Sequence, residues 1–119
     1  PARGHPVVTE KDQWRIGHML QAIERIRSHA LRRSVAGDAD LALDAVVHNL
    51  QVIGEAAAHP SEECRAAIPS VPWPKIRGMR NILAHEYFDT DPALVWKTVD
   101  EDLGSPEMAL RDAYSGSST

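Results

Sequence analysis

Arg80 and His85 are the residues of this chain whose types and spacing best suit chemistry. An arginine guanidinium can clasp a phosphate through two parallel hydrogen bonds. A histidine gives and takes protons near neutrality. RNA carries its own nucleophile, the 2′-hydroxyl beside each phosphodiester. A base that removes this proton and a cation that holds the phosphate can therefore cleave RNA without a metal, and DNA, lacking the hydroxyl, resists. Arg80 closes the run Lys75-Ile76-Arg77-Gly78-Met79-Arg80, which has three cations and no acid in a chain of net charge −4. Arg77 is a helical neighbour of Arg80. It is a candidate for a further phosphate contact, with a surface ion pair as the plainer reading. Arg80 and His85 are five residues apart, about 140° of rotation on an ideal helix. They converge only if the helix ends or bends near Asn81–Ala84, or if one of the two comes from a second subunit.

The elements that must position this pair are all helical. Thr9 is a helix cap, with Glu10 and Asp12 at the positive end of the dipole. Ile16, Met19, Leu20, Ile23, Ile26 and Ala30 then recur at helical spacing, which predicts a first helix over about 10–33, with Arg32 and Arg33 in its last turn. Leu43, Val46, Val47, Leu50, Ile53 and Ala57 predict a second over about 40–58. Gly54 inside it costs about 1 kcal/mol against alanine, so a close approach of another helix is the expected compensation. The apolar arc of this helix widens at Ala45, Val52 and Ala56, as suits a bundle or a subunit contact. Ser61 predicts a short helix through Ala67. Pro69, Pro72 and Pro74 enforce an extended turn, after which a third long helix runs over about 75–84 with Ile76, Met79, Ile82 and Leu83 inward. Asp91-Pro92 opens a helix carrying Leu94, Val95, Val99 and Leu103, and Ser105-Pro106 opens a last one to about Tyr114. No segment reads as a strand. The expectation is an all-α fold, an antiparallel bundle of four to five main helices.

The totals narrow the function classes. With 119 residues the chain fits one domain, expected over 9–114, with tails at 1–8 and 115–119. Cys64 is the only cysteine. It rules out an intramolecular disulfide and a cysteine zinc cluster, and suits a reducing cytoplasm; the thiol reads as packing rather than as a nucleophile. No apolar run approaches the ~18 residues of a membrane span, and the first residues lack the apolar core of a signal peptide. The net charge of −4 argues against a broad nucleic-acid-coating surface but leaves room for a local phosphate site. The histidines at 5, 18, 29, 48 and 59 show no metal-ligand spacing, so no metal or other cofactor is expected.

Arg80, four residues, His85, one residue and Tyr87 match the Arg-x4-His-x-Tyr signature of the HEPN superfamily in its HepT-like toxin branch. The surroundings resemble that branch too. Ile53-Gly54-Glu55-Ala56 looks like its helix-two segment. Pro72-Trp73, Ile76 and Gly78-Met79-Arg80-Asn81 look like its approach to the motif. His85-Glu86-Tyr87-Phe88, Asp91 and Val95-Trp96-Lys97-Thr98-Val99 look like its exit. The resemblance covers about residues 38–104. It implies a helical homodimer whose motifs face each other to form a composite ribonuclease site. Arg80 and His85 would be the catalytic pair and Asn81 would help to position them. It further implies a minimal nucleotidyltransferase antitoxin that adds AMP to the motif tyrosine, here Tyr87, placing bulk and negative charge beside the pair. Glu86 departs modestly from the pattern, since an acid there weakens the local positive potential.

Several residues keep two readings. Glu55 is either a partner of Arg80 or a solvated or capping side chain. Trp73 and Trp96 suit packing better than base stacking. Arg25, Arg27, Arg32 and Arg33 could extend an RNA path, but their helical scatter and the neighbouring Glu24 favour a solvated face. Tyr87 could simply pack its ring. Two functions are therefore expected to compete: an endoribonuclease toxin silenced by AMP addition, and an inactive HEPN dimer that restrains a toxic nucleotidyltransferase.

Overall fold

The computed structural model describes residues 8–85 and 91–115, and of 81–85 and 115 the backbone only. Among the described residues six α-helices follow one another: α1 (Glu10–Ala30), α2 (Ala39–Ala56), α3 (Glu62–Ala67), α4 (Trp73–His85), α5 (Pro92–Lys97) and α6 (Gly104–Ser115), with a π-helical turn at Thr98–Asp102 joining the last two. No strand occurs among the described residues. The fold is the expected all-α arrangement. Residues 1–7 and 116–119, most of the expected tails, lie outside the described residues. Val8, which the sequence places in the tail, packs against the core.

Three helix starts follow from local chemistry. Thr9 and Asp12 form a reciprocal capping box on α1. The Ser61 hydroxyl accepts from the Cys64 N–H at the start of α3, and the Asp91 carboxylate accepts from the Ala93 N–H with Pro92 in the first turn of α5. Asp12 does more than the dipole role the sequence suggests. It is buried, and its carboxylate also accepts from the Ser61 N–H at 3.2 Å and the Ser61 hydroxyl at 3.1 Å. Burial opposes its charge, but hydrogen bonds from Thr9 and Ser61 outweigh that and hold the carboxyl below its ordinary range. One side chain thus ties the start of α1 to the start of α3.

α2 is the central helix, packed against both α1 and α4. Ile16, Met19, Ile23 and Ile26 of α1 meet Val46, Leu50 and Ile53 of α2 in one core, joined by Ile76 and Met79 of α4 and by Val95, Val99, Leu103 and Leu110. Burying each such side chain contributes about 1.5–3 kcal/mol. Cys64 is fully buried in the same core, and burial, with the Asp12 charge nearby, pushes its thiol up to about 11. Trp73 is buried with its indole N–H donating to the Ile68 carbonyl at 3.1 Å, a packing role. No described helix is long and apolar enough to cross a membrane.

Two boundaries differ from the expectation. α1 stops at Ala30, not Arg33. Arg32 instead turns to Asp38 at 2.6 Å, and Arg33 to Asp100 at 3.0 Å with its guanidinium over the Trp96 ring. The helix expected from Asp91 to Leu103 is α for only its first part, because a π turn adds an extra residue to the ladder at Thr98–Asp102. That turn carries Asp100 against Arg33 and Asp102 within 3.4 Å of Lys75 on α4.

Candidate active site

Gly54 decides where Arg80 stands. A Cβ at Gly54 would lie 2.5 Å from the Arg80 Cβ and 2.8 Å from the Arg80 backbone nitrogen. α4 therefore rests on α2 backbone to backbone at this point, and only a residue without a Cβ permits it. The next residue along α2, Glu55, takes the side chain in hand. The Arg80 Nη1 donates to the Glu55 Oε1 at 2.9 Å. Glu55 is thus paired with Arg80 and solvated at once.

The pair is not sunk in the core. The Arg80 side chain is 36% exposed and that of Glu55 59%. An ion pair this wet contributes little to stability, but it restricts the guanidinium to one region while using one of its five N–H donors. The remaining donors can face an anion. The other cations of the run have separate fates. Lys75 is drawn to Asp102 on the π turn. Arg77 is exposed, one turn before Arg80, with no ion-pair partner among the described residues, so the surface ion pair considered for it is not formed there.

Asn81 and His85 follow on α4. The backbone is helical through Asn81–Ala84, and His85 is the last residue of α4. No interruption at Asn81–Ala84 turns His85 back toward Arg80, which leaves the two about 140° apart around one helix axis. The side chains of Asn81 and His85, and the whole of Glu86, Tyr87 and Phe88, lie outside the described residues.

The arginines at 25, 27, 32 and 33 weighed as an RNA path are largely engaged. Arg27 donates to Glu107 at 3.0 Å, and Arg32 and Arg33 are paired as above. Burial raises the Glu107 carboxyl, but Arg111 and Arg27 outweigh it and hold the group below its ordinary range. Arg25 is exposed. Linear reading missed a different set. His18 on α1, His48 on α2 and His59 just beyond it line one groove of about 370 Å³ together with Arg15 and Glu55. Nothing in their spacing announces this, because the histidines come from separate elements. Among the described residues no three His, Cys, Asp or Glu side chains are grouped to hold a metal.

The profile of the ribonuclease HepT-like family matches residues 19–112. The chain belongs to that family. A protein of Methanocaldococcus jannaschii that carries a provisional RNase name is 46% identical over 59 residues, 50% of this chain and 54% of that one. A protein of Thermococcus cleftensis named "Probable ribonuclease HepT" is 39% identical over 61 residues, 51% and 56% of the two chains. A third, from Caldanaerobacter subterraneus subsp. tengcongensis and also provisionally named an RNase, is 35% identical over 68 residues, 57% and 61% of the two. The chain thus spans about half the length of the curated relatives it matches. No solved structure matches it significantly. The family match takes in α2 with Gly54 and Glu55 and the whole of α4, the parts that hold Arg80.

Proposed function

We propose that this HepT-like chain is a metal-independent endoribonuclease, the toxin of a toxin–antitoxin pair acting in the cytoplasm. The observation that carries the reading is Arg80. It stands at the surface, fixed by the Gly54 contact and the Glu55 ion pair, on the same helix as His85. An ion pair this exposed adds little to stability, so the double restraint is read as holding the guanidinium ready for an anion. The ribonuclease names of relatives support the same reading.

The chemistry uses the RNA's own hydroxyl. His85 accepts the 2′-OH proton as the 2′-oxygen attacks the adjacent phosphorus. The phosphorus–5′-oxygen bond breaks, and the leaving oxygen takes a proton from a protonated histidine. The products are a 2′,3′-cyclic phosphate and a 5′-hydroxyl. Arg80 stabilises the extra negative charge that builds on the non-bridging oxygens, a contribution comparable to the roughly 10²–10⁴-fold expected of the proton transfers. Asn81 helps to position the pair, and Arg77 adds a contact to the phosphate.

Uninterrupted helix between Arg80 and His85 favours a site built from two chains. In a two-fold homodimer Arg80 of one chain can face His85 of the other. A nucleotidyltransferase antitoxin then silences the enzyme by adding AMP to Tyr87, two residues beyond His85, where the added phosphate repels the substrate's own.

The test is expression of the full chain and of His85→Ala and Arg80→Ala, in cells and as purified protein. The wild type should arrest growth and cut RNA to cyclic phosphate ends without added metal, and both variants should be harmless. A harmless wild type that leaves RNA intact would replace the nuclease with the inactive binding module. Light scattering should show a dimer, and mass spectrometry after co-expression with the antitoxin should show AMP additions that vanish in Tyr87→Phe.

A further inference from the structure

We infer that the face of α1 and α2 lined by Arg15, His18, His48 and His59 is a second subsite of the enzyme, which binds single-stranded RNA beside the scissile phosphate; the inference rests on the ribonuclease reading of Arg80 and His85.

The site is built from two adjoining hollows. The first, of about 370 Å³, is bounded by Arg15 and His18 on α1 and by His48, Gln51 and Glu55 on α2. The second, of about 280 Å³, is bounded by Lys11, Asp12 and Ser61. Arg15 and His59 belong to both, so the hollows form one track. Its α1 side runs from Lys11 to His18, roughly 10 Å of helix. Glu55, the residue that holds Arg80, lines the first hollow between Gln51 and His59. The track therefore passes the residue that holds the candidate catalytic arginine.

Charge chooses the occupant. Lys11 and Arg15 have no ion-pair partner among the described residues. Both carboxylates on the track are already committed: that of Asp12 accepts from Thr9 and Ser61, and that of Glu55 from Arg80. Asp12 keeps its negative charge and Arg80 offsets that of Glu55, so Lys11 and Arg15 still leave the track cationic and rich in hydrogen-bond donors, on a chain of net charge −4. Each imidazole offers at least one N–H, and Gln51 offers its amide. Val52 and Ala56 supply an apolar floor in the first hollow.

The rim adds an aromatic surface. Trp14 is 60% exposed. The Arg15 guanidinium carbon lies 4.9 Å from its ring centroid, and the His18 ring lies 5.3 Å from it. A flat indole beside a guanidinium and donor groups suits a base and the phosphate next to it. A polyanion with exposed bases, lying along this track beside the Glu55–Arg80 pair, meets every group the face presents.

Binding is measured by fluorescence anisotropy of a labelled, unstructured RNA 12-mer on full-length protein in the His85→Ala background, which separates binding from cleavage. Arg15→Ala and Trp14→Ala should each weaken binding about tenfold. Arg15→Ala should also lower the salt slope of log K by about 0.7, the contribution of one phosphate contact to a single strand. His48→Gln should weaken it less, and Arg111→Ala, on α6, should change nothing. In the protein that keeps its native His85, Arg15→Ala should lower kcat/KM about tenfold on the 12-mer and leave a dinucleotide substrate unaffected, which a folding defect cannot mimic. Unchanged affinity and salt slope in Arg15→Ala and Trp14→Ala would overturn the subsite, whether or not the enzyme cleaves. Unchanged affinity with a loss of dimer mass in those variants would overturn it in favour of a second copy of the chain on this face. If the wild type cuts neither RNA, the nuclease reading fails, and anisotropy decides the subsite.

Discussion

Replacing Gly54 with alanine sets two physical effects against each other. Alanine is the better helix former by about 1 kcal/mol, so on an isolated α2 the change would stabilise. In the folded chain the new methyl would lie 2.5 Å from the Arg80 Cβ and 2.8 Å from the Arg80 nitrogen, whereas ordinary contact begins at 3.4 Å. The obstacle is backbone and Cβ, not the tip of a flexible side chain, so α4 itself must retreat by about 1 Å. Overpacking of this kind costs about 1–3 kcal/mol, and a contact with backbone belongs at the upper end. The net effect should be a loss of about 2 kcal/mol. For a chain of this length that lowers Tm by about 8 °C. The retreat also carries Arg80 away from its working position, and misplacement on this scale can cost about a hundredfold in rate. Thermal unfolding followed by circular dichroism reads the first quantity, and cleavage of a labelled RNA the second. Gly78→Ala is the matched control. It lies on the same helix as Arg80, and a Cβ there meets nothing within 4 Å, so it should raise Tm by a few degrees. A Gly54→Ala protein with unchanged or raised Tm would refute the reasoning, since helix propensity would then outweigh the clash.

Glu55→Gln should leave Tm within about 2 °C of wild type, because the ion pair is exposed, yet lower kcat on RNA about tenfold by loosening Arg80. A Tm loss matching the activity loss would assign Glu55 to stability instead. The lowered Asp12 carboxyl contributes stability that is present above its unfolded value near 3.9 and lost as pH falls through its lower folded value. Urea unfolding should therefore show Asp12→Asn weakened at pH 7, with its deficit against wild type shrinking below about pH 4. A deficit constant with pH would mean that the Asp12 charge contributes nothing. Cys64, buried and with its thiol pushed up to about 11, should react with a chromogenic disulfide reagent at pH 8 only after unfolding; rapid reaction of the native protein would show that α3 opens readily.

The sequence by itself determined whatever is decided within one helical turn. Thr9, Ser61 and Asp91 cap the helices they precede because a short polar side chain reaches an N–H two or three residues on. The apolar stripes of α1 and α2 name their buried faces because helical geometry repeats regardless of what covers it. Gly54 announced a close approach, since a mid-helix glycine is locally unfavourable. Which helix comes close was not legible: the contact falls on Arg80, and the Glu55 hand-hold spans 25 residues of chain. The motif itself became credible through a longer pattern, not through its own spacing, and the uninterrupted α4 removes the simplest way of closing it within one chain.

Tertiary structure decided the rest wherever long-range partners outweighed local preference. Helical periodicity would carry α1 on to Arg33, but the helix ends at Ala30, and Arg32 and Arg33 pair with Asp38 and Asp100 from the turns that follow. The π turn at Thr98–Asp102 lies beside two such anchors, Asp100 against Arg33 on one side and Asp102 against Lys75 on the other, partners that no local pattern encodes. The histidines at 18, 48 and 59 have no common period and read as scattered until α1 and α2 pack together. A site assembled from several elements exists only in the packed state, because proximity across helices is set by the core beneath them and not by distance along the chain.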